Sequence, residues 1–346
     1  MAIKEKKIIS CAGFGGTGSS AITDLLSEFD GCKDIGNFEF SILHEVDGIS
    51  DLHHSVVDDF HRLKTTESLY RFEKLIKNLN GMYKPYLGEE FIKKSYEYMD
   101  NIIDVEWKGF WHQHMYRNSK LERRIKYRIP EKIQRKLNNL LFKNRQYEYT
   151  PKYIKDDIKL IYDLGKFKIE TKKYIKSLLY ELDKEDKNEY LILDQLVPPY
   201  NIARYSQYVD NLKVIVIDRD PRDLYILNKK YWKEGWIPSE NVEVFIKWFD
   251  GIRSGIFSEN QDNMLFIMLE DLVFNYDETL IKIINFLELD SKRHKLKLKK
   301  FNPEVSKKNC RLWITNTEYE NDIRIIEDKL YNYCYENRRK NEKINL

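Results

Sequence analysis

A glycine-rich stretch near the N-terminus, "GFGGTGSS" at residues 13 to 20, has the composition of an anion-binding loop. Such turns let backbone N–H groups approach phosphate or sulfate oxygens, and a helix that follows directs its positive end at them. Its glycines spell G-x-G-x-x-G, the dinucleotide fingerprint, and its eight residues also spell a phosphate loop in which Ser19 replaces the lysine. The stretch predicts an anion site and leaves the anion open.

Two nucleotide-binding classes can be weighed from this loop. A nucleotide triphosphatase needs the lysine that reaches the terminal phosphates, and its replacement by Ser19 argues against that class. An NAD(P)-binding oxidoreductase needs an acidic residue about 20 positions on for the ribose hydroxyls, and Glu39 is available. Because acidic residues are common, the loop alone neither establishes nor excludes an NAD(P)-binding oxidoreductase.

A second anion-binding candidate is "RDPRDL" at residues 219 to 224, directly after the apolar run "KVIVID". Arg219 and Arg222 at the carboxyl end of a parallel strand would suit a second phosphate, because guanidinium groups offer forked donors and keep their charge. The alternative is that both arginines pair with Asp220 and Asp223 at the start of a helix.

Short apolar runs predict the elements that position these loops. The runs "KIISCA", "YLILD", "KVIVID" and "MLFIML" have the texture of buried parallel strands, and "SSAITDLLSEF" has helical spacing. They predict a three-layer α/β/α fold with a central parallel sheet in a single domain, residues 1–346. Residues 60–185, rich in Lys, Tyr and Asn and poor in Gly, predict a mostly helical insertion that binds the acceptor.

Composition excludes several classes of function. The 59 basic and 56 acidic residues nearly balance, which predicts no general attraction to nucleic acid. The four cysteines have no C-x-x-C spacing, and His112 and His114 lack a nearby third ligand, so we expect neither a disulfide framework nor a metal. A charged N-terminus and the lack of an apolar run of about 18 residues favour a cytoplasmic protein.

In four motifs taken together, the chain resembles the sulfotransferases that use 3′-phosphoadenosine 5′-phosphosulfate (PAPS), with a preference for bacterial carbohydrate-type members. In that family a loop like "GGTGSS" cradles the 5′-phosphosulfate, and a motif like "RDPRDL" holds the 3′-phosphate. Residues 269–289 resemble the family's strand-to-helix segment, and residues 301–313, "FNPEVSKKNCRLW", resemble its cofactor-closing loop. The motifs occur in family order and cover about half of the chain.

The resemblance implies a set of cofactor-binding residues. They are Gly15, Gly16, Thr17, Gly18, Ser19, Ser20, Arg219, Asn228, Lys307, Lys308 and Asn309. Many members carry Lys or Arg where this chain has Gly16, so another cation is expected here, with Lys307 and Lys308 as candidates. Where the family commonly has serine, eight positions after the motif arginine, this chain has Leu227, and Asn228 beside it is the predicted substitute.

Sulfuryl transfer also needs a group that accepts the acceptor's proton, and a carboxylate or imidazole can serve. Glu39 is the first candidate because it lies at the predicted end of the second strand, where the family has a carboxylate, and His44 is the second. Asp194 and Gln195 are predicted to contact the acceptor or the cofactor, unless they belong to a plain structural loop.

A basic segment lies within the insertion. Residues 117–145 hold eleven Lys or Arg and two acids, and Ile and Leu recur there at helical spacing, with Pro130 expected to divide the segment into two helices. It is either a solvated face or a site for an anionic acceptor or a membrane surface. A carbohydrate or glycan precursor is the preferred acceptor, a non-catalytic nucleotide-binding protein remains an alternative, and the oligomeric state stays open.

Overall fold

The computed structural model describes residues 6–141, 155–185, 187–254 and 262–344. The chain forms two compact units, the first comprising Met1–His44 with Leu179–Leu346 and the second comprising Glu45–Leu178. The second unit therefore begins nearer the N-terminus than the insertion predicted for residues 60–185. No helix among the described residues is long and apolar enough to cross a bilayer.

The strands of the described chain form two sheets. The strands are β1 Lys7–Gly13, β2 Cys32–Glu39, β3 Val105–Gly109, β4 Asp156–Leu160, β5 Tyr190–Asp194, β6 Leu212–Asp218 and β7 Met264–Met268. The first unit contains a five-stranded sheet in the order β2-β5-β1-β6-β7, and every pairing in it is parallel. The second unit contains β3 and β4, which pair antiparallel.

Helices connect and cover these strands. They are α1 Ser19–Leu26, α2 Ile49–His53, α3 Arg62–Leu87, α4 Glu90–Ile102, α5 Lys120–Arg123, α6 Ile129–Leu141, α7 Leu164–Leu182, α8 Ile202–Ser206, α9 Pro221–Ile226, α10 Val242–Arg253, α11 Leu269–Phe274, α12 Tyr276–Leu287, α13 Pro303–Ser306, α14 Leu312–Thr315, α15 Glu320–Lys329 and α16 Tyr335–Ile344.

The large sheet is buried on both faces. Ile9 and Cys11 of β1 pack in a core with α1, α11 and α12, while Ser10 and Ala12, which point the other way, are also fully buried. On that second face Arg253 of α10 donates two hydrogen bonds to Asp218 at the end of β6. Helices therefore cover both faces, which confirms the predicted three-layer α/β/α architecture, and the four apolar runs form β1, β5, β6 and β7.

The second unit is mostly helical and has its own aromatic core. Tyr98 of α4 stacks on Tyr174 of α7 with ring centroids 4.5 Å apart, and the Tyr174 hydroxyl lies 2.6 Å from the Ser95 hydroxyl. The antiparallel pair of β3 and β4 was not expected from the sequence. Its residues, such as "VEWKG", are too charged to give the apolar runs that mark the buried strands.

Candidate anion-binding site

The glycine-rich loop joins the end of β1 to the start of α1. Gly18 precedes the first helical residue with φ 106°, a left-handed conformation that disfavours other residues. Thr17 is 1% exposed, and its hydroxyl accepts a hydrogen bond from the Phe14 N–H at 3.1 Å, so this side chain shapes the loop from within. Because the first N–H groups of a helix lack intrahelical partners, the loop can offer backbone donors to an anion.

Two tryptophans lie against the loop. A Cβ atom at Gly15 would stand 2.2 Å from the Trp236 ring, and one at Gly16 would stand 2.7 Å from the Trp232 ring. A lysine or arginine at position 16 would therefore collide with an indole. This packing is a physical reason for glycine at position 16.

Arg219, at the carboxyl end of β6, supplies a cation to the same loop. Its Nη1 donates to the Gly16 carbonyl at 2.8 Å, and its guanidinium lies 5.7 Å from the Trp232 ring. The side chain is 6% exposed, and its Nε atom is buried without a hydrogen-bond partner among the described residues. An unpartnered buried donor of a charged group is costly, so this atom favours an anionic ligand.

The second arginine of the motif has a different role. Arg222 donates to Asp220 through Nε and Nη2, at 2.9 and 2.7 Å, and also pairs with Glu327 and Glu336. Its guanidinium stacks 4.1 Å from the Trp313 ring centroid and is 2% exposed. For Arg222 the structure therefore supports the alternative that this arginine pairs with carboxylates, namely buried Asp220 and the more exposed Glu327 and Glu336.

The acidic residues of the motif hold the C-terminal segment in place. Asp220 accepts the backbone N–H of Tyr335 at 2.9 Å, and Asp223 accepts those of Arg311 and Leu312, both at 2.6 Å. Burial together with the neighbouring Asp220 charge raises the pKa of Asp223 to about 7. Burial and the same carboxylates also raise the pKa of Glu270, which accepts the Asp220 N–H at 3.0 Å.

A cavity of about 450 Å³ opens between the glycine-rich loop, Arg219 and residues 298–309. It is lined by Gly18 and by Ser20, Ala21 and Asp24 of α1, by Arg219 and Leu269, and by residues of 298–309. Its volume lies within the range of small-molecule sites. The loop and Arg219 were predicted to serve one cofactor from opposite ends, and in the structure they face one cavity.

The lysines at this cavity are not those that the sequence indicated. Lys299 and Lys300 line the cavity together with the predicted Asn309. Lys307 instead pairs with Glu304 and lines a neighbouring cavity, and Lys308 is exposed. The cofactor roles of Lys307 and Lys308 stay predictions, whereas Lys299 and Lys300 were missed although "KLKLKK" at 295–300 is a visible cluster of charge.

Glu28 was also missed, and it fixes the cavity wall. This buried carboxylate, just after α1, accepts hydrogen bonds from the backbone N–H groups of Leu298, Lys300 and Phe301 at 2.8 to 3.1 Å. His294 Nε2 donates to it at 2.7 Å. The sequence signal is a carboxylate on an otherwise apolar helical face, but its partners lie more than 260 residues away.

Asn228 is turned away from the cavity. Its Nδ2 donates to the Ile237 carbonyl and the Ser239 hydroxyl at 2.9 and 2.8 Å, and its Oδ1 accepts the Glu234 N–H at 2.9 Å. These bonds hold the loop that carries Trp236. The Asn228 amide thus positions the Trp236 ring on the glycine-rich loop. A contact between Asn228 and a cofactor, as predicted, would require these hydrogen bonds to break.

Carboxylates collect on the other side of the loop. Asp194 ends β5 opposite Glu39 at the end of β2, and it accepts a hydrogen bond from Ser19. Burial, reinforced by the charge of exposed Glu39, raises the pKa of Asp194 to about 6. Its Oδ1 is buried and has no partner among the described residues. This arrangement can bind or exchange a proton beside an anion.

Gln195 and His44 complete this cluster. Gln195 Nε2 donates to the Gly13 carbonyl at 3.3 Å, and His44 Nε2 donates to the Gln195 carbonyl at 2.6 Å. His44 therefore carries a proton on Nε2. In the described part of the chain, no group of three or more His, Cys, Asp or Glu side chains has the arrangement of a metal site.

Comparisons with known proteins give a weak likeness. No protein-family model and no curated protein matches the chain. Among solved structures, it is similar to a sulfotransferase domain of the Synechococcus PCC 7002 olefin synthase, at 13% identity and TM-score 0.38, over 90% of this chain and 82% of that one. It is also similar to the sulfotransferase domain of the curacin biosynthetic pathway, at 13% identity and TM-score 0.40, over 95% and 98%.

A third solved structure belongs to the same group. Sulfotransferase STF1 from Mycobacterium tuberculosis H37Rv is 8% identical, with TM-score 0.33, over 89% of this chain and 77% of that one. All three TM-scores are too low to support a functional conclusion, which must therefore come from the residues of the chain itself.

Proposed function

We propose that the chain transfers the sulfuryl group of PAPS to a hydroxyl of an acceptor. The observation that carries this proposal is the contact between the two anion-binding motifs: Arg219 donates to the Gly16 carbonyl at 2.8 Å, and both motifs line one cavity. PAPS has two anionic groups on its ribose, a 3′-phosphate and a 5′-phosphosulfate, so its site needs two positive regions around one cavity. A site for a single phosphate would need only the loop.

The residues present fit this cofactor. Backbone N–H groups of Gly15 to Ser20 and the start of α1 would hold the 5′-phosphosulfate. Arg219, with its unpartnered Nε, would hold the 3′-phosphate together with Lys299, Lys300 and Asn309. Lys307 and Lys308 stay predicted cofactor contacts from the motif, although Lys307 pairs with Glu304 and lines a neighbouring cavity.

The chemistry needs positioned charge and a proton acceptor, and no metal. When bound, PAPS supplies the sulfuryl group, whose bond to the bridging oxygen breaks as the bond to the acceptor oxygen forms. The loop N–H groups would stabilise the negative charge that grows on the departing phosphate. Because Arg219 is assigned to the 3′-phosphate, Lys307 and Lys308 stay the candidate cations for that task.

Glu39 is the proposed base for the acceptor hydroxyl. It is exposed at the carboxyl edge of the sheet and lies opposite Asp194, which is held by Ser19 of the loop. With a pKa near 6, Asp194 can take the proton onward from Glu39. His44 is the second candidate. A carbohydrate or glycan precursor is the acceptor class we propose.

The order of the strands weighs against the oxidoreductase alternative. In a dinucleotide-binding domain the second strand lies beside the first, so that its acidic residue reaches the ribose. Here β5 lies between β1 and β2. Glu39 is therefore one strand farther from the glycine-rich loop than that role requires.

A thermal-shift panel tests the proposal. We expect adenosine 3′,5′-bisphosphate to stabilise the protein by about 2.7 kcal/mol at 100 times its dissociation constant, and NAD, NADP and ATP to do so much less at the same concentration. Stabilisation by NAD or NADP above that by the bisphosphate would overturn the proposal. Binding without transfer of labelled sulfate to any hydroxyl in a glycan panel would favour a non-catalytic nucleotide-binding protein.

A further inference from the structure

A second cationic region lies in the second unit and has no role in the proposed sulfuryl transfer. It is the amphipathic segment Lys120–Leu141, which runs through α5, a π-helical turn at Arg124–Arg128, and α6. Pro130 occupies the second position of α6, where a missing N–H costs little. The segment thus has two α-helices, as expected, and the π-helical turn joins them without a break in the helical path.

The segment exposes an apolar stripe. None of the residues of α6 is buried, and the exposed fractions of Ile133, Leu137, Leu140 and Leu141 are 54%, 53%, 71% and 71%. Ile125 and Ile129 extend the stripe toward the N-terminal end. Because these side chains recur every three or four positions, they lie along one side of the helix.

Such a helix requires a partner. Isolated helices of about 12 to 15 residues are marginal in water, and most helices in proteins are stabilised by packing of their apolar face. No described residue buries the stripe of α6. A surface that receives these side chains would therefore stabilise the helix as well as bind it.

The charge of the segment indicates the nature of that partner. Residues 117–145 carry eleven Lys or Arg and two acids. Beside the stripe, a cavity of about 860 Å³ is lined by five of these cations, with His112 and Tyr116, and no carboxylate is among its lining residues. The five are Lys120, Arg123, Arg124, Arg128 and Lys132. This cavity can receive several phosphate groups at once.

We propose that the amphipathic segment docks on the surface of an anionic phospholipid bilayer. The stripe would enter the boundary between head groups and acyl chains, and the cations would bind lipid phosphates. Nucleic acid would satisfy the cations but leave the leucines in water. An apolar protein groove would bury the leucines but leave the cations of the adjoining cavity without counter-charges.

Vesicle flotation of the full chain tests this proposal. We expect binding to vesicles of phosphatidylcholine with about 30 mol% phosphatidylglycerol, and none to phosphatidylcholine alone. Raising the salt to about 1 M should weaken binding at least tenfold, because it screens the cations. Equal binding to both vesicle types, or no binding to either, would overturn the proposal.

Variants separate the two contributions. The triple change Leu137→Gln, Leu140→Gln and Leu141→Gln should reduce partitioning at least tenfold and leave circular dichroism of the remaining fold unchanged. The triple change Arg124→Gln, Arg128→Gln and Lys132→Gln should reduce vesicle binding about tenfold at low salt. Because fewer cations then remain to be screened, added salt should weaken the binding of this variant little further. A matched control, Val244→Gln with Ile281→Gln, changes apolar residues of the first unit that are 50% and 58% exposed and should bind as wild type does.

Two further outcomes are decisive. If the leucine variant binds as wild type does, or if the stripe instead forms a dimer without lipid, as light scattering would detect, the bilayer proposal is wrong. Should the leucine variant fail to fold, Leu140→Cys labelled with an environment-sensitive dye replaces it. We expect a blue shift of its emission with anionic vesicles, and an unchanged spectrum would equally overturn the proposal.

Discussion

Two cationic regions of this protein use positive charge in opposite ways. At the glycine-rich loop one guanidinium, that of Arg219, is 6% exposed and fixed by a 2.8 Å hydrogen bond to Gly16. Along the amphipathic segment many cations are exposed and none of the α6 side chains is buried. The first region can select a ligand by geometry, whereas the second can respond only to the density of negative charge.

The difference also shows in what surrounds each charge. Arg222 and Arg219 belong to a buried network with Asp220, Asp223 and Glu270, where removal of one partner leaves an uncompensated charge. Most cations of the segment are exposed, and pairs such as Arg135 with Glu131 lie at the surface. Substitutions should therefore have large, specific effects in the first region and small, additive effects in the second.

The largest effect is expected from Glu39→Gln. If Glu39 is the base, turnover in a labelled-sulfate assay should fall by about 10² to 10⁴, while affinity for adenosine 3′,5′-bisphosphate stays nearly unchanged. Glu320→Gln, at an exposed carboxylate of α15, is the control and should leave turnover as it is. Unchanged turnover in Glu39→Gln would show that Glu39 is not the base, and His44 would then be the first candidate.

Asp194 gives a pH dependence of stability. Its pKa is about 6 in the folded protein against 3.8 in the unfolded chain, so between these values the folded state keeps a proton that the unfolded state has lost. The free energy of unfolding should therefore fall as pH rises through this window, by about 2 to 3 kcal/mol between roughly pH 4 and pH 8.

Asp194→Asn removes this titration, which makes it the matched comparison. Denaturant unfolding at roughly pH 4 and pH 8 measures the free energy of unfolding of both proteins. Its fall between the two pH values should be larger for the wild type than for the variant, by about 2 to 3 kcal/mol. An equal loss in both proteins would show that the Asp194 carboxyl titrates normally.

Arg219→Ala sharpens the contrast between the two regions. It should weaken adenosine 3′,5′-bisphosphate binding by about 1.5 to 3 kcal/mol in calorimetry, the range for a hydrogen bond to a charged group. Arg324→Ala, at an exposed arginine of α15, is the matched control and should bind as the parent does. A variant at position 219 that binds as tightly as the parent would place the 3′-phosphate elsewhere.

The smallest effect is expected within the amphipathic segment. Arg135→Ala breaks an exposed pair between residues four apart on α6, which is worth about 0.3 to 0.5 kcal/mol. Thermal unfolding should therefore change by little, and bisphosphate affinity should not change. A loss of bisphosphate affinity comparable with that of Arg219→Ala would mean that the two regions are not functionally separate.

The sequence predicted the central sheet well because its strands are short apolar runs with little ambiguity. The run "YLILD" is β5 in full, and "KVIVID" is β6 apart from Leu212. The same local patterns placed the glycine-rich loop and Arg219 at the carboxyl edge, since strand ends and helix starts are marked by nearby residues.

What the sequence could not predict depends on contacts between distant residues. Arg222 pairs with its neighbour Asp220, which the motif allowed, but its further partners Glu327 and Glu336 lie more than a hundred positions away. The exclusion of a lysine at Gly16 required the position of the Trp232 ring. Glu28 could be noticed as a carboxylate on an apolar face, but nothing local indicated that its partners are backbone N–H groups of residues 298–301.

The hydrogen bond from Tyr335 to Asp220 has a consequence for biosynthesis. Asp220 belongs to the loop after β6, and its Oδ2 accepts from Arg222, yet its donor from the C-terminal helix region is the backbone N–H of Tyr335, 115 positions later. During translation this carboxylate therefore has an incomplete set of donors until Tyr335 has left the ribosome. Premature termination upstream of Tyr335 would thus release a chain whose loop after β6 lacks this support and which quality-control proteases should readily degrade.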